Sequence, residues 1–529
     1  MRKRQISALV AAFLSLMLLL CACTEQMQPS DGAAQPSDST AQPSTTQTQP
    51  PQAPKSEHVD GNGDEICDDC GIDVTVDLDF YAFNDLHGVF CDTNTNPGVD
   101  ELTTYLKNAY ADDSAYEIVL SSGDMWQGSV ESSSNKGALM TEWMNEMGFV
   151  SMTLGNHEYD WGSSYIAKNA QLANFPFLAI NVKDSNVDAP YCRSSVTVER
   201  GGVKIGIIGA VSNWKSSISG EFNEGLEFIT GSALTQLVKE ESVRLREEGC
   251  HFIVYSIHDG HEGSYANVTD YTGGMGHYDT VLSRGYVDLV FEGHSHSSYV
   301  LRDKEGVYHL QGGGYNSGVS YASVSYNLVT NDYEITDTTI LHRAVYADDM
   351  LVDDPIVEKL YSQYFSEEDP YGDVLGRNDA SRSSNDIAKT IAQLYLAKGV
   401  ELWGDEYDIV LGGGFIKCRS PYRLTAGNVT YSQLYSLLPF DNSLVLCEVT
   451  GKQLRQKMIG SSNYYCAYDE ELPKSIEDDK LYYIVTDTYT SFYSKNMFKE
   501  VARLENYYAR DLLKDYIAAG NWGSAAEKT

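Results

Sequence analysis

Positive charge is scarce in this 529-residue chain: 38 Lys and Arg stand against 75 Asp and Glu, for a formal net charge of −37. So acidic a surface repels polyanions, which excludes a protein that grips the backbone of a nucleic-acid polymer. A small anionic ligand is compatible only with a site that supplies local positive charge, as bound metal ions do. Long apolar runs are also missing. The one conspicuous run, residues 8–20, falls short of the roughly 20 residues that a membrane-spanning helix needs. The ten cysteines lack the spacing of a disulfide framework, so their pairing is not legible. No internal repeat is evident. The length exceeds what a single core supports, and two domains plus extra segments are expected.

The chain begins with a basic cluster, Arg2, Lys3 and Arg4, followed by the apolar run and then Leu20-Cys21-Ala22-Cys23. This order resembles a bacterial lipoprotein signal, residues 1–22, cleaved before Cys23. It predicts a secreted protein anchored to the outer face of a bacterial membrane by a lipid on Cys23; a single short acyl chain would hold it only reversibly. Residues 23–57 are Gln, Pro, Ser, Thr and Ala with almost no large apolar side chain, and read as a disordered tether. Residues 58–72 follow. Asp60, Asn62 and Asp64 alternate like the start of a calcium loop, but Gly71 stands where its bidentate Glu belongs. Cys67-x-x-Cys70 reads as half a zinc site or a close-spaced disulfide. This stretch is expected to be a short stalk that binds calcium or zinc or carries a disulfide.

From residue 73 the pattern turns globular. Residues 74–83 alternate as a strand does, and further strands are expected at 118–120, 150–154, 203–211, 252–257 and 287–291. Helical spacing marks 99–111, 137–147 and 233–248. Strands alternating with helices argue for an α/β or layered α+β domain over 73–347. A linking helix at 354–365 falls within a connector, 348–370. A second domain is expected over 371–529, with a helix near 386–398 and strands near 409 and 444–448.

Five short motifs stand at or just past strand ends: Asn84-Asp85-Leu86-His87-Gly88, Gly123-Asp124, Gly155-Asn156-His157-Glu158, His258-Asp259-Gly260 and Gly293-His294-Ser295-His296. Loops after strands are where α/β sheets place their sites. Each motif alone is weak, since a Gly-Asp after a strand is usually a turn. The set is not weak: five of the eleven histidines fall in it. Its mixture of carboxylate, amide and imidazole suits divalent transition metals.

The order of these motifs resembles the calcineurin-like metallophosphoesterases. Asn84-Asp85-Leu86-His87-Gly88 and Gly155-Asn156-His157-Glu158-Tyr159-Asp160 look like the 5′-nucleotidase branch. The resemblance implies a four-layer α/β/β/α sandwich followed by a smaller α+β substrate-binding domain. It implies two divalent ions (zinc, manganese, iron or cobalt), one held by Asp85, His87 and His296, the other by Asn156, His258 and His294, with Asp124 bridging. Such a pair activates water and neutralises phosphoryl charge. His157, oriented by Asp160, would stabilise the transition state or protonate the leaving oxygen.

In the second domain the resemblance is carried by Gly412-Gly413-Gly414-Phe415-Ile416-Lys417 and Leu438-Pro439-Phe440-Asp441-Asn442. It implies substrate contacts from Gly413 and Gly414, from Lys417 (where the family has arginine) and Arg419, and from Phe440 and Tyr489 as the two walls of a base clamp. Arg377 and Arg382 are further candidates for phosphate or carboxylate. Where the family has a Gly-Gly-Asp-Gly-Tyr-like ribose loop, this chain has Thr490-Ser491-Phe492-Tyr493-Ser494-Lys495-Asn496. The expected activity is phosphate release from nucleoside monophosphates. The alternatives are a nucleotide-sugar pyrophosphatase or cyclic phosphodiesterase of the same fold, and a tethered surface binding protein with a vestigial enzyme domain.

Overall fold

The structure is a computed structural model and describes residues 58–91, 98–111, 115–188, 190–211, 215–218, 222–261, 286–303, 305–343, 354–365, 371–419, 423–494 and 497–523. The signal segment, Cys23 and the tether lie outside these residues.

Two six-stranded sheets come first. One contains β1 (Thr75–Phe83), β2 (Tyr116–Ser121), β3 (Ser151–Thr153), β4 (Phe177–Leu178), β13 (Gly318–Asn327) and β14 (Asp332–His342), in the order β14-β13-β1-β2-β3-β4. The other contains β6 (Ser195–Arg200), β7 (Val203–Val211), β9 (Phe252–His258), β10 (Leu289–Phe291), β11 (Ser298–Arg302) and β12 (Tyr308–Gly312), in the order β11-β12-β10-β9-β7-β6. Parallel strands fill both centres; antiparallel strands close both edges of the second sheet and the β14 side of the first, whose other edge, β4, runs parallel to β3. A two-stranded ribbon, β5 (Val182–Asp184) with β8 (Leu226–Phe228), stands apart.

The period-2 pattern of β1 explains the layering. Val76, Leu78, Phe80 and Ala82 point between the sheets, where they meet Val203, Ile205 and Ile207 of β7 and Phe252 and Val254 of β9. Tyr81 and Phe83 point the other way, onto Leu102, Leu106, Leu139 and Trp143 of helices Asp100–Tyr110 and Ala138–Glu146. On the far side, Leu234, Val238 and Leu245 of helix Gly231–Glu247 cover Ile208, Ile253 and Tyr255. The result is a four-layer α/β/β/α sandwich. Helix Pro355–Tyr364, read from sequence as a connector, buries Val357 and Leu360 in the outer helical layer. Its Tyr364 hydroxyl donates to Glu142 at 2.9 Å. It is part of that layer rather than a free link.

The C-terminal part is a smaller α+β unit. A ribbon of β15 (Val374–Asn378) and β17 (Gly427–Thr430) accompanies a five-stranded sheet of β16 (Ile409–Gly414), β18 (Ser443–Thr450), β19 (Tyr465–Tyr468), β20 (Leu481–Asp487) and β21 (Lys499–Tyr508). Helices Ser384–Trp403 and Ala509–Ala518 pack on it through Ile387, Ile391, Tyr395 and Leu513. Gly412 makes the close crossing with the first of these helices: a Cβ there would lie 2.2 Å from Leu396 N. Gly412→Ala should therefore lower stability by about 1–3 kcal/mol, as overpacking does. A chemical-denaturation midpoint unchanged from wild type would contradict that packing.

Candidate metal centre

Asp85 and His87 follow β1, Asp124 follows β2, Asn156 and His157 follow β3, His258 ends β9, and His294 and His296 follow β10. The backbone that carries them is unusual. Asp85, His87, Asp124, His294 and His296 all have positive φ, from 51° to 70°. Left-handed non-glycine residues are uncommon, and such conformations cost of order 1–3 kcal/mol each. Their concentration here shows a fold that holds strained turns in order to aim side chains inward.

Two groups of donor atoms result. In the first, His296 Nε2 and His87 Nε2 stand 3.3 and 3.8 Å from Asp85 Oδ1 and 3.0 Å from each other. In the second, with Asp124, His258 and His294, His258 Nε2 is 3.1 Å from Asp124 Oδ2. Asn156 Oδ1 lies 3.2 Å from His258 Nε2 and 2.8 Å from His294 Nδ1. The seven ligands read from sequence thus converge as two neighbouring sets.

These residues fit metal ions. Asp85 Oδ1 is buried without a hydrogen-bond partner, an acceptor left for a cation. His87 Nδ1 donates to Gln127 O at 2.9 Å and His258 Nδ1 to Ser122 O at 2.7 Å. Those bonds fix both rings with their Nε2 atoms turned inward, as outer partners of metal-binding histidines do. The donor set accepts zinc, manganese, iron or cobalt alike.

His157 occupies the mouth between the two parts of the chain. Its ring lies 5.4 Å from that of His87 and 5.8 Å from that of Phe440. Its Nδ1 donates to Asp160 Oδ2 at 2.7 Å. Its backbone N–H donates to Asp124 Oδ1 at 2.8 Å. Glu158, quoted in the motif but given no role from sequence, is buried beneath. It accepts the backbone N–H groups of Asp124 and Met125, both at 2.9 Å, and of Gly155 at 2.7 Å.

Among the basic candidates, Arg419 alone is brought to this centre. It is buried, with Nη1 3.0 Å from His87 Nε2 and 3.2 Å from the Tyr315 hydroxyl, while Nη2 donates to Gln127 Oε1 at 2.8 Å. Lys417 is exposed and Arg377 is exposed on β15. Arg382 binds Asp379 at 2.6 Å and lies over the Trp522 ring. The difference between Lys417 and Arg419 is geometric: the buried positions after β16 are 416, 418 and 419, and 417 faces out. Gly413 and Gly414 are spent on packing, since a Cβ would meet Tyr465 O at 2.2 Å or Thr490 Oγ1 at 2.6 Å. Phe440 lies under the Arg419 guanidinium, 5.4 Å away. Tyr489 instead stacks on Phe415, at 5.9 Å and 27°. Gln127 and Tyr315 escaped the sequence reading. The Gly312-Gly313-Gly314-Tyr315 turn was a visible signal for Tyr315, and nearness to Gly123-Asp124 the one for Gln127.

Burial and Arg419 hold the His87 ring well below the usual imidazole range. Burial also opposes protonation of His258, but Asp124 outweighs it and raises that ring. A ligating imidazole must be neutral, so metal uptake at neutral pH should release protons, and apparent affinity should rise with pH. Calorimetric titration in buffers of different ionisation enthalpy measures this; uptake without proton release would contradict a protonated His258.

Comparison with known proteins agrees with this arrangement. The calcineurin-like phosphoesterase family matches residues 78–298, and the 5′-nucleotidase C-terminal domain matches residues 373–472. Protein UshA of Yersinia enterocolitica is 23% identical over 435 residues, covering 74% of this chain and 77% of that protein. An apyrase of Tabanus yao is 27% identical over 418 residues, covering 71% and 72%. The crystal structure of a 5′-nucleotidase precursor from Thermus thermophilus shares the fold, with a TM-score of 0.63 at 16% identity over 86% of this chain and 98% of that one. Residues 78–298 are thus a calcineurin-like phosphoesterase domain and residues 373–472 a 5′-nucleotidase C-terminal domain, and with a centre built of those families' residue types the chain is identified as a metal-dependent phosphoric ester hydrolase of the 5′-nucleotidase branch.

Proposed function

We propose that this hydrolase acts outside the cell as a 5′-nucleotidase, releasing phosphate from nucleoside monophosphates. The observation that carries the proposal is Arg419, a guanidinium from beyond β16 buried 3.0 Å from His87 Nε2. It sets a fixed positive charge beside the metal ligands, where a phosphoryl group needs one. When bound, a pair of divalent ions activates water and neutralises charge on the phosphoryl oxygens. The planar fork of Arg419 matches two such oxygens in a way a lysine cannot. Asp160, by accepting from His157 Nδ1, leaves Nε2 to hold a proton for the leaving oxygen. Phe440 offers a face on which a base stacks. The UshA and apyrase relatives support a nucleotide substrate. The external location and the lipid on Cys23, which would join the protein to a membrane, rest on residues 1–23.

One observation favours a second reading, a different phosphate such as a nucleotide-sugar pyrophosphate or a cyclic diester. Tyr489, expected as the second wall of the clamp, already stacks on Phe415. The segment replacing the ribose loop completes helix Thr488–Tyr493. Its Tyr493 hydroxyl accepts from Asn223 Nδ2 at 2.7 Å and stands 2.8 and 2.7 Å from the carbonyls of Lys215 and Ile218.

Phosphate release from nucleoside monophosphates, a sugar nucleotide, a cyclic nucleotide and an aryl phosphate separates these readings. Asp124→Ala should abolish release. Arg419→Ala should lower kcat/KM on adenosine monophosphate by about 10²–10³-fold, the loss typical of removing one preorganised charge-stabilising donor. The exposed Lys417→Ala should leave it unchanged. Preference for the aryl phosphate over every nucleotide would overturn the nucleotidase reading.

A further inference from the structure

The stalk at residues 58–73 plays no part in the chemistry above, yet it is built with care. It has almost no core. Cys67 is buried, whereas Val59, Ile66 and Ile72 are exposed. A segment this short cannot hold itself by apolar burial and needs a staple.

Its backbone forms a tight turn around the Cys67-x-x-Cys70 pair. Gly71 N donates to Cys67 O at 2.8 Å, Cys67 N donates to Ile72 O at 2.8 Å, and Gly71 takes φ +72°. Such a turn brings both Sγ atoms to one side. Asp68 N donates to Val59 O at 2.7 Å, which fastens the preceding strand of chain against the turn. As a result His58 Nδ1 lies 3.4 Å from Cys70 Sγ. The donor atoms of His58, Cys67 and Cys70 all lie within 4.8 Å of one another. A tetrahedral ion with Zn–S of about 2.3 Å and Zn–N of about 2.0–2.1 Å requires donor separations of about 3.6–3.8 Å, so the preformed triad needs only small adjustment.

The two rival uses of this segment fit less well. Both cysteines are free thiols in the structure, and a third donor already faces the pair. The oxygens of the calcium-like loop are engaged by its own backbone: Asp60 accepts from Gly63, Asp64 and Glu65 N–H, Asp64 from Ile66, and Asp68 from Gly61. They close the loop around the turn, and the soft donors are the ones left converging.

We infer that His58, Cys67 and Cys70 form a third metal site, separate from the catalytic pair, which takes a thiophilic divalent ion of the zinc type. Thiolate and imidazole select such ions over calcium or magnesium. Its fourth position is open to solvent, on the side where Cys70 is exposed. The site clasps the lead-in to β1: Ile66 bridges to Asp73, and Val74 N donates to Glu65 O at 2.9 Å. The ion acts at the end of β1 remote from Asp85.

Cobalt(II) loading of the full chain tests this. Thiolate-to-cobalt charge transfer in the near ultraviolet arises only from sulfur ligands, so the oxygen- and nitrogen-ligated catalytic centre is silent in that band. The expected result is a charge-transfer band in the wild type that is lost in Cys70→Ser and shifted or weakened in His58→Ala. Phosphate release by Cys70→Ser should be unchanged, which shows that the variant is folded. In the metal-loaded wild type, Cys67 and Cys70 should resist alkylation until a chelator is added. Absence of the band from cobalt-loaded, reduced protein would overturn the site, as would its persistence in Cys70→Ser. Recovery of Cys67 and Cys70 as a disulfide in protein purified without reductant would overturn it equally.

Discussion

Glu158 accepts backbone N–H groups from the turn after β2 and from the turn after β3, and so ties together the two loops that carry Asp124 and Asn156. Burial, helped by the charge of Asp124, pushes its carboxyl up to about 8, against the pull of those same N–H donors. A buried carboxyl group is tolerated only when its oxygens are hydrogen-bonded, and here main-chain N–H groups do this. Removing the carboxylate would leave those N–H groups unmet inside the protein, each a penalty of about 1–3 kcal/mol. The positions of Asp124, of the His157 N–H that binds it and of Asn156 therefore all depend on one side chain that itself faces no substrate.

The two parts of the chain divide the work along physical lines. The sandwich provides rigidly anchored loops for ligands, because strands buried on both faces cannot shift without exposing Phe80, Phe252 or Phe291. The C-terminal unit provides reach. Arg419, Phe440 and Tyr493 all leave its elements to touch the sandwich, at His87, His157 and Asn223 respectively. Lys136 and Asp441 add a half-exposed ion pair at 3.7 Å across the same boundary, of the kind that contributes little.

Legibility in the sequence followed burial. β7 and β9 are covered on both faces and read as nearly continuous apolar runs, so their limits were visible to within a residue. β13 and β14 were not visible: Gly318–Asn327 alternates with Ser and Tyr, and Asp332–His342 is polar on its outer face. The ligand motifs were legible because strand, turn and ligand occur together within a few residues. Arg419 and Lys417 could not be separated in the same way, since an irregular stretch after β16 has no period from which to infer which side chain turns inward. The surroundings of Tyr489 were hidden for a related reason. Residue type marks Tyr489 as able to stack, but only the fold reveals that Phe415 is its partner.

The left-handed turns of the centre have a bearing on how such a site could change over time. Outside glycine, the side chains that best tolerate this backbone are Asn, Asp and His, and these are also oxygen and imidazole donors. At Asp85, His87, Asp124, His294 and His296 the backbone narrows the alphabet before any metal does. Exchange among those three residues could retune the ions held without disturbing the turns. A β-branched replacement would be rejected by the main chain whatever its chemistry. Drift at these five turns is thus channelled by the main chain toward residues that are themselves metal donors.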